Sequence, residues 1–340
     1  MKIKCPNCPK VLIFPDDRLP KDKPVIFPCP DCKGQIKVDL SAESTADGDS
    51  DATKSSGKHL SGNELKQKIL STVQDLPPMP QTVFKAREIM ADPKAGFDEL
   101  AKLIESDQAI AAKVLKIANS SYYAMRGEIS SIQRALVVLG NNTLGELITL
   151  GGVSGLLGNR LEGYGLDVGD LWKHSMAVAF GSRHIAEQVA PTLANDAFTS
   201  GLLHDSGKLI LDSYIIERWQ DFEDFMADGQ HGFLEAEKQV LALDHPEIAS
   251  EVCSAWHIPL PLTQAIQFHH HPSQAQDNQL AYIVHIADAT ALMSGIGNGV
   301  DGTMYQIEEN ALASLGLQEE MLGEVMSHML TATQKITEKD

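Results

Sequence analysis

The chain has 340 residues, 43% of them apolar, which is enough for two or three domains with sizeable cores. Its formal charge of -18 is unevenly placed: residues 1–40 carry eight Lys and Arg against five Asp and Glu, so the remainder carries -21. A body this acidic repels nucleic-acid phosphates and anionic lipid, and nucleic acid could be engaged only through the basic N-terminal segment. No run of about 18 uninterrupted apolar residues occurs, and MKIKCPNCPK lacks a signal-peptide core, so a soluble cytoplasmic protein with no membrane partner is expected.

The chain opens with two CxxC pairs, Cys5 with Cys8 and Cys29 with Cys32, separated by twenty residues. Four thiolates at this spacing suit one tetrahedral zinc, and a unit of residues 1–40 needs such a staple because its own core is small. The fifth cysteine, Cys253, lies alone in an apolar helical setting and reads as a buried structural thiol. Residues 41–60, rich in Ser, Asp, Gly, Ala and Thr, have almost nothing to bury and read as a flexible linker.

From about residue 64 to 335 the apolar residues recur at spacings of three and four, which predicts an all-α body. DLPPMPQTV, with Pro77, Pro78 and Pro80, predicts a rigid corner before the next helix. Asp107 is placed to cap DQAIAAKVLKIANSSYY, in which Ile110, Val114 and Ile117 share a face. SIQRALVVLGNNTLGELITL breaks at Gly140 and resumes after Asn142, giving two helices with a short connection. The loop-like EGYGLDVGD divides the body, with a first helical bundle over 61–165 and a second over 166–340 that ends in C-terminal helices.

The second half concentrates residues that do not belong in an apolar core. His174 lies in LWKHSMAVAFG, His204 and Asp205 in FTSGLLHDSGKLIL, and His269, His270 and His271 end a helix at Pro272. His245 precedes Pro246 and is expected to be an N-cap. Asp288 sits in AYIVHIADATALM with no Lys or Arg in reach along the chain. A buried, unpartnered carboxylate costs several kcal/mol in practice, and a bound metal would offset it. Imidazole with carboxylate suits Fe, Mn, Co, Ni or Zn, and one bridging carboxylate can hold two ions.

Across about residues 65–290 the chain resembles the HDOD family, the HD-related output domains of bacterial signalling proteins. The residues that carry the likeness are LPPMPQTVFKAREIM, LAKLIESDQAIAAKVLKIANSSYY, SIQRALVVLG, FTSGLLHDSGKLIL and AIQFHHHP. The first 40 residues are similar to the short zinc ribbon that begins some bacterial regulatory proteins, which implies a small β unit. The wider HD superfamily uses a His, His-Asp, Asp pattern to bind divalent metal and usually hydrolyses phosphate esters. By motif, that pattern falls here on His174, His204, Asp205 and Asp288. Further likeness to the HD-GYP cyclic-dinucleotide phosphodiesterases lies in His245, His269, His270 and Lys208. The resemblance implies a bridging Asp205, one site completed by His174, His204 and Asp288, and another by His245, His269 and His270. Lys208 would contact substrate phosphate. Beyond the histidines, however, this chain reads HPSQAQDNQL in place of the Glu and Asp-Gly-x-Gly-Tyr-Pro loop of those enzymes, so the likeness does not extend to cyclic-dinucleotide specificity. The triple histidine also leaves His270-His271 as an alternative ligand pair.

Two functions from different classes follow from the resemblance. In the first, the chain is a signalling or regulatory module acting through protein or ligand interaction, with other signalling proteins as partners and one or two divalent transition metals (Fe, Mn, Ni or Zn) retained beside the ribbon zinc. In the second, it is a metal-dependent phosphohydrolase or phosphodiesterase acting on a nucleotide, a cyclic dinucleotide or another phosphate ligand, with Asp205 and Lys208 as catalytic residues. Lys208 is open to a blander reading as a solvated helix-end charge. His184 and His257 read as surface or helix-end residues, and Trp172 and Trp256 as core anchors. His285, three residues before Asp288, is placed either to orient that carboxylate or simply to pack.

Overall fold

The computed structural model describes residues 62–337 apart from 76–78, 92–95, 124–127 and 303–306, together with the backbone of four short N-terminal strands. Those strands pair antiparallel as two hairpins, β1 (Lys2–Lys4) with β2 (Val11–Ile13) and β3 (Val25–Pro28) with β4 (Gln35–Val38). The four N-terminal cysteines and the expected linker over 41–60 lie outside the described residues. The chain divides into two units, residues 1–59 and 60–340.

The larger unit is helical throughout its described residues, apart from an isolated bridge between Leu161 and Leu166. Its first helices are α1 (Gly62–Asp75), α2 (Gln81–Ala91), α3 (Phe97–Glu105), α4 (Gln108–Ala118) and α5 (Ile132–Leu157). Asp107 caps α4 as its sequence predicts, its side chain accepting from Ile110 N at 3.1 Å. Leu100, Ile104, Ile110, Val114, Leu144 and Leu147 interlock between α3, α4 and α5. At Gly140 α5 is interrupted by a non-helical backbone (φ 81°, ψ 170°), where the sequence places a break. Among the described residues α5 is the one helix long and apolar enough to cross a membrane by length and composition, and half of its most apolar stretch is buried in the bundle.

The chain continues through α6 (Asp170–Val189), a 3-10 turn (Pro191–Leu193), α7 (Ala194–Leu203), α8 (Lys208–Glu217), α9 (Trp219–Met226), α10 (Phe233–Leu241), α11 (His245–Ala255) and α12 (Leu260–Gln267). A second 3-10 turn (Pro272–Ala275), α13 (Gln279–Met293), α14 (Ala311–Ser314) and α15 (Glu320–Thr337) complete it. Helix α13 is apolar on nearly every side, which is the pattern of a helix buried all round. It accordingly lies against α6, α7 and α12, and its residues from Ile283 to Ala291 are buried. The apolar core runs without interruption from Leu65 on α1 to Ile336 on α15.

Candidate metal centre

Two close approaches bring the scattered histidines together. Helix α7 presses on α6 at Gly201, where a Cβ would fall 2.7 Å from Ser182 Oγ and 2.8 Å from the Val178 carbonyl oxygen. This contact carries His204, at the end of α7, to within 5.2 Å of His174 on α6, ring centre to ring centre. The turn after His204-Asp205 then packs against the start of α11, where any side chain at Gly207 would collide with the His245 carbonyl oxygen. Asp205 is thereby held between α6 and α11. Asp288 reaches the same place from the middle of α13, and His269 and His270 reach it from the end of α12.

The sequence-predicted ligand candidates converge. His174 Nε2 lies 3.0 Å from Asp288 Oδ1 and 3.5 Å from Asp205 Oδ2. His204 Nε2 lies 3.4 Å from Asp205 Oδ2 and 3.6 Å from Asp288 Oδ1, yet makes no well-directed hydrogen bond although fully buried. The other oxygen of Asp205, Oδ1, faces His245 Nε2 at 3.4 Å, and His245 Nε2 lies 3.0 Å from His270 Nε2. Donor atoms of His174, His204 and Asp205, of His204, His269 and Asp288, and of His245, His269 and His270 fall within 4.8 Å of one another in each trio. His269 and His270 both enter the cluster, whereas His271 is exposed and precedes the 3-10 turn.

In four of these rings Nδ1 is turned away from the centre and held there. His174 Nδ1 pairs with Ile296 O (3.0 Å), His204 Nδ1 with Gly201 O (2.7 Å) and His269 Nδ1 with Ile266 O (2.7 Å). His245 Nδ1 pairs with the Glu237 carboxylate at 2.9 Å, which also accepts from His245 N at 2.8 Å and from the Tyr164 hydroxyl at 2.6 Å. A ring that donates from Nδ1 presents the Nε2 lone pair, the tautomer a metal ligand needs. Glu237 and Tyr164 are both fully buried, and sequence reasoning missed the pair. Glu237 follows Glu235 in a helix and resembles a solvated residue of that face; the apolar period of α10 places it on the buried side.

Burial opposes charge on His204, but Asp205 and then Asp288 stabilise its imidazolium and raise it to about 10. Burial would likewise raise Asp205 and Asp288; His204 and Lys208 hold the first well below the usual carboxylate range, and His174 and His204 the second. Burial, reinforced by neighbouring imidazoles, pushes His269 and His270 well below 6.5, so both are neutral at pH 7. Neutral His269 and His270 beside two ionised carboxylates make a donor set that a divalent transition metal fits once His204 gives up its proton.

One expectation is corrected and two open alternatives are decided. Asp244, not His245, caps α11, its side chain accepting from Glu247 N at 2.9 Å in a reciprocal box with Glu247; His245 is the first helical residue. His285 does not orient Asp288: Nδ1 pairs with His269 O (2.8 Å) and Nε2 accepts from Glu308 N (2.8 Å). Lys208 is not a solvated helix end. It is buried at the start of α8, with Nζ 2.7 Å from Asp205 Oδ2 and 2.5 Å from Asp301 Oδ2. Cys253 is buried as expected, and burial pushes its thiol up to about 12.

A cleft of about 720 Å³ opens over the cluster, and its lining runs from His174 to Glu309 with no residue of α1–α5. The first helices therefore do not roof the site.

The chain belongs to the HDOD family, whose domain matches residues 76–272. An uncharacterized protein of Treponema pallidum (strain Nichols) is 23% identical over 260 residues, which is 76% of this chain and 49% of that protein. The chain thus spans about half the length of that relative. Among solved structures, an HDOD domain protein of unknown function from Geobacter sulfurreducens matches with a TM-score of 0.62 and 24% identity, covering 81% of this chain and 92% of its own. A Shewanella amazonensis protein named as a candidate phosphohydrolase gives 0.62 and 24% over 80% and 97%, and a Marinobacter aquaeolei protein named as a candidate signal transduction protein gives 0.64 and 21% over 81% and 64%. At these identities the likeness is one of fold.

Proposed function

We propose that this chain is a signalling or regulatory HDOD module whose second helical region, residues 166–340, holds a dinuclear divalent-metal centre and acts through protein or ligand interaction. The observation that carries this reading is the split of Asp205, with Oδ2 toward His174 and His204 and Oδ1 toward His245. In this reading Asp205 bridges, His174, His204 and Asp288 complete one position, and His245, His269 and His270 the other. The ions would be Fe, Mn, Ni or Zn. The bundle of residues 61–165 is left free for protein contact, and the cysteine module of residues 1–40, with zinc on Cys5, Cys8, Cys29 and Cys32, supplies a second recognition element. Other signalling proteins are the expected partners, in keeping with the name of the Marinobacter neighbour.

A second reading, a metal-dependent phosphohydrolase, is favoured by the open cleft with Lys208 at its floor. A pair of divalent ions would supply Lewis acidity toward a phosphoryl oxygen. The chain's own part would be to orient the ligand and to exclude water with the apolar wall at Phe233 and Leu234. Metal analysis of anaerobically purified full-length protein and of its Asp205→Ala variant tests the centre. The wild type is expected to carry up to two transition-metal equivalents beyond those left in the variant. Equal contents would overturn the dinuclear reading, and phosphatase turnover lost in the variant would favour the second function over the first.

A further inference from the structure

We propose that Asp301 determines what this cleft accepts: its carboxylate occupies Lys208 and keeps phosphate-class anions away, leaving the cleft to uncharged or cationic ligands with an apolar portion. The inference rests on the metal-centre reading for the ligand's seat beside the ions. It goes further in naming the ligand class and the residue that sets it.

Among the described residues that line the cleft, Lys208 is the one Lys or Arg, against six acids: Asp205, Glu235, Asp288, Asp301, Glu308 and Glu309. Its ammonium is clasped by two carboxylates, at 2.7 Å and 2.5 Å, so no net positive charge faces the cleft from it. An incoming phosphate would have to take the place that Asp301 Oδ2 holds.

Asp301 is not easily displaced. Val300 N, the preceding amide, donates to the carbonyl of buried Tyr164 at 2.9 Å, and Lys208 Nζ lies 5.4 Å from the centre of the Tyr164 ring. Five residues earlier, Ile296 O pairs with His174 Nδ1, so the segment that carries Asp301 also orients a ligand candidate. Pulling Asp301 away would therefore disturb both Lys208 and His174. The second oxygen, Asp301 Oδ1, is buried without a hydrogen-bond partner among the described residues, a cost that the contact of Oδ2 with Lys208 offsets.

Charge on the cleft points the same way. Two divalent ions and Lys208 would together only about match the six lining carboxylates, so a polyanion gains little on entering. Phe233, Leu234, Leu292 and Ile307 add an apolar wall that suits the body of an uncharged or cationic molecule.

The test is calorimetric titration of full-length protein with inorganic phosphate, with metal content measured on each preparation. Asp301→Asn keeps the side-chain shape and removes the charge, and Glu324→Gln removes an exposed charge on α15 that does not line the cleft. Asp301→Asn is expected to bind phosphate at least about tenfold more tightly than wild type, the scale of losing one close charge pair, and Glu324→Gln to stay within about twofold. Unchanged affinity in Asp301→Asn, an equal gain in Glu324→Gln, or micromolar phosphate binding by the wild type would each overturn the proposal. Should Asp301→Asn fail to fold, Asp301→Ser replaces it, and the wild-type arm decides alone if both fail. Absence of metal would sink the centre while leaving the ratio between variant and wild type informative, because the contact between Lys208 and Asp301 involves no ion.

Discussion

The helices before the Tyr164 loop and those after it share one apolar core but differ in what else they bury. From α1 to α5 the buried polar side chains are Ser120, Glu146 and Thr149, and Glu146 has its cation, Arg183, at 2.6 Å. From α6 to α13 the chain buries His174, His204, Asp205, Lys208, Glu237, His245, His269, His285 and Asp288. Ionisable groups in a core are costly unless each finds a partner, so the second region gives up packing energy to assemble a site and the first does not. The difference concentrates buried ionisable groups in the second region, where the proposed metal centre lies.

The largest effect that would break this comparison is complete loss of the centre. Asp205→Ala removes the carboxylate that faces both histidine groups, and transition-metal content beyond any held by the N-terminal cysteines is expected to fall to zero by mass spectrometry. Next in size is its counterpart in the scaffold. Leu147→Ala empties a fully buried position on α5 and is expected to cost about 2–5 kcal/mol in chemical denaturation while leaving metal content per folded molecule unchanged. A parallel loss of metal would mean that the first region supports the site after all.

A smaller effect is expected at Glu237, where the comparison can be sharpened. Three donors, His245 N, His245 Nδ1 and the Tyr164 hydroxyl, share its two carboxylate oxygens. In Glu237→Gln one oxygen becomes an NH₂ group, so a donor loses its acceptor and His245 its fixed tautomer. Metal affinity is expected to drop by about 10–100-fold, read by chelator competition, with the fold retained. An unchanged affinity would assign Glu237 to packing alone.

What the sequence shows and what it hides follow from range. The cap at Asp107 and the break at Gly140 are local events, decided by neighbours within four residues, and both are legible. The converging His and Asp residues are legible because an apolar run makes each of them anomalous. The cap on α11 is equally local, since Asp244 stands three residues before Glu247, whereas the rule that Pro follows a cap points to His245, one position too far along. Glu237 and Asp301 were hidden for a different reason. The apolar period of α10 puts Glu237 on the buried face but does not name its partner, and at Asp301 only tertiary packing distinguishes a carboxylate aimed at Lys208 from one that faces water.

The smallest expected effect concerns a proton. Without metal, His204 is raised to about 10 from 6.5, so the stability it contributes is full below pH 6.5 and is lost as pH rises through about 10. Asp205 and Asp288, both lowered, contribute in the opposite sense: their stabilisation is present above about 3.8 and is lost as pH falls through their depressed values. Metal-free protein should therefore be most stable between these limits, and its melting temperature should fall as pH rises from about 6.5 to about 9.5. With manganese bound, His204 must already have surrendered its proton, so metal affinity strengthens over the same interval and the decline should flatten or reverse. His204→Gln should flatten the metal-free curve as well, because the titrating group is gone. If melting curves with and without metal ran parallel across this interval, proton and metal would not be competing for His204. The buried charge of the second region would then be a structural ion-pair cluster, differing from Glu146 and Arg183 in number rather than in kind.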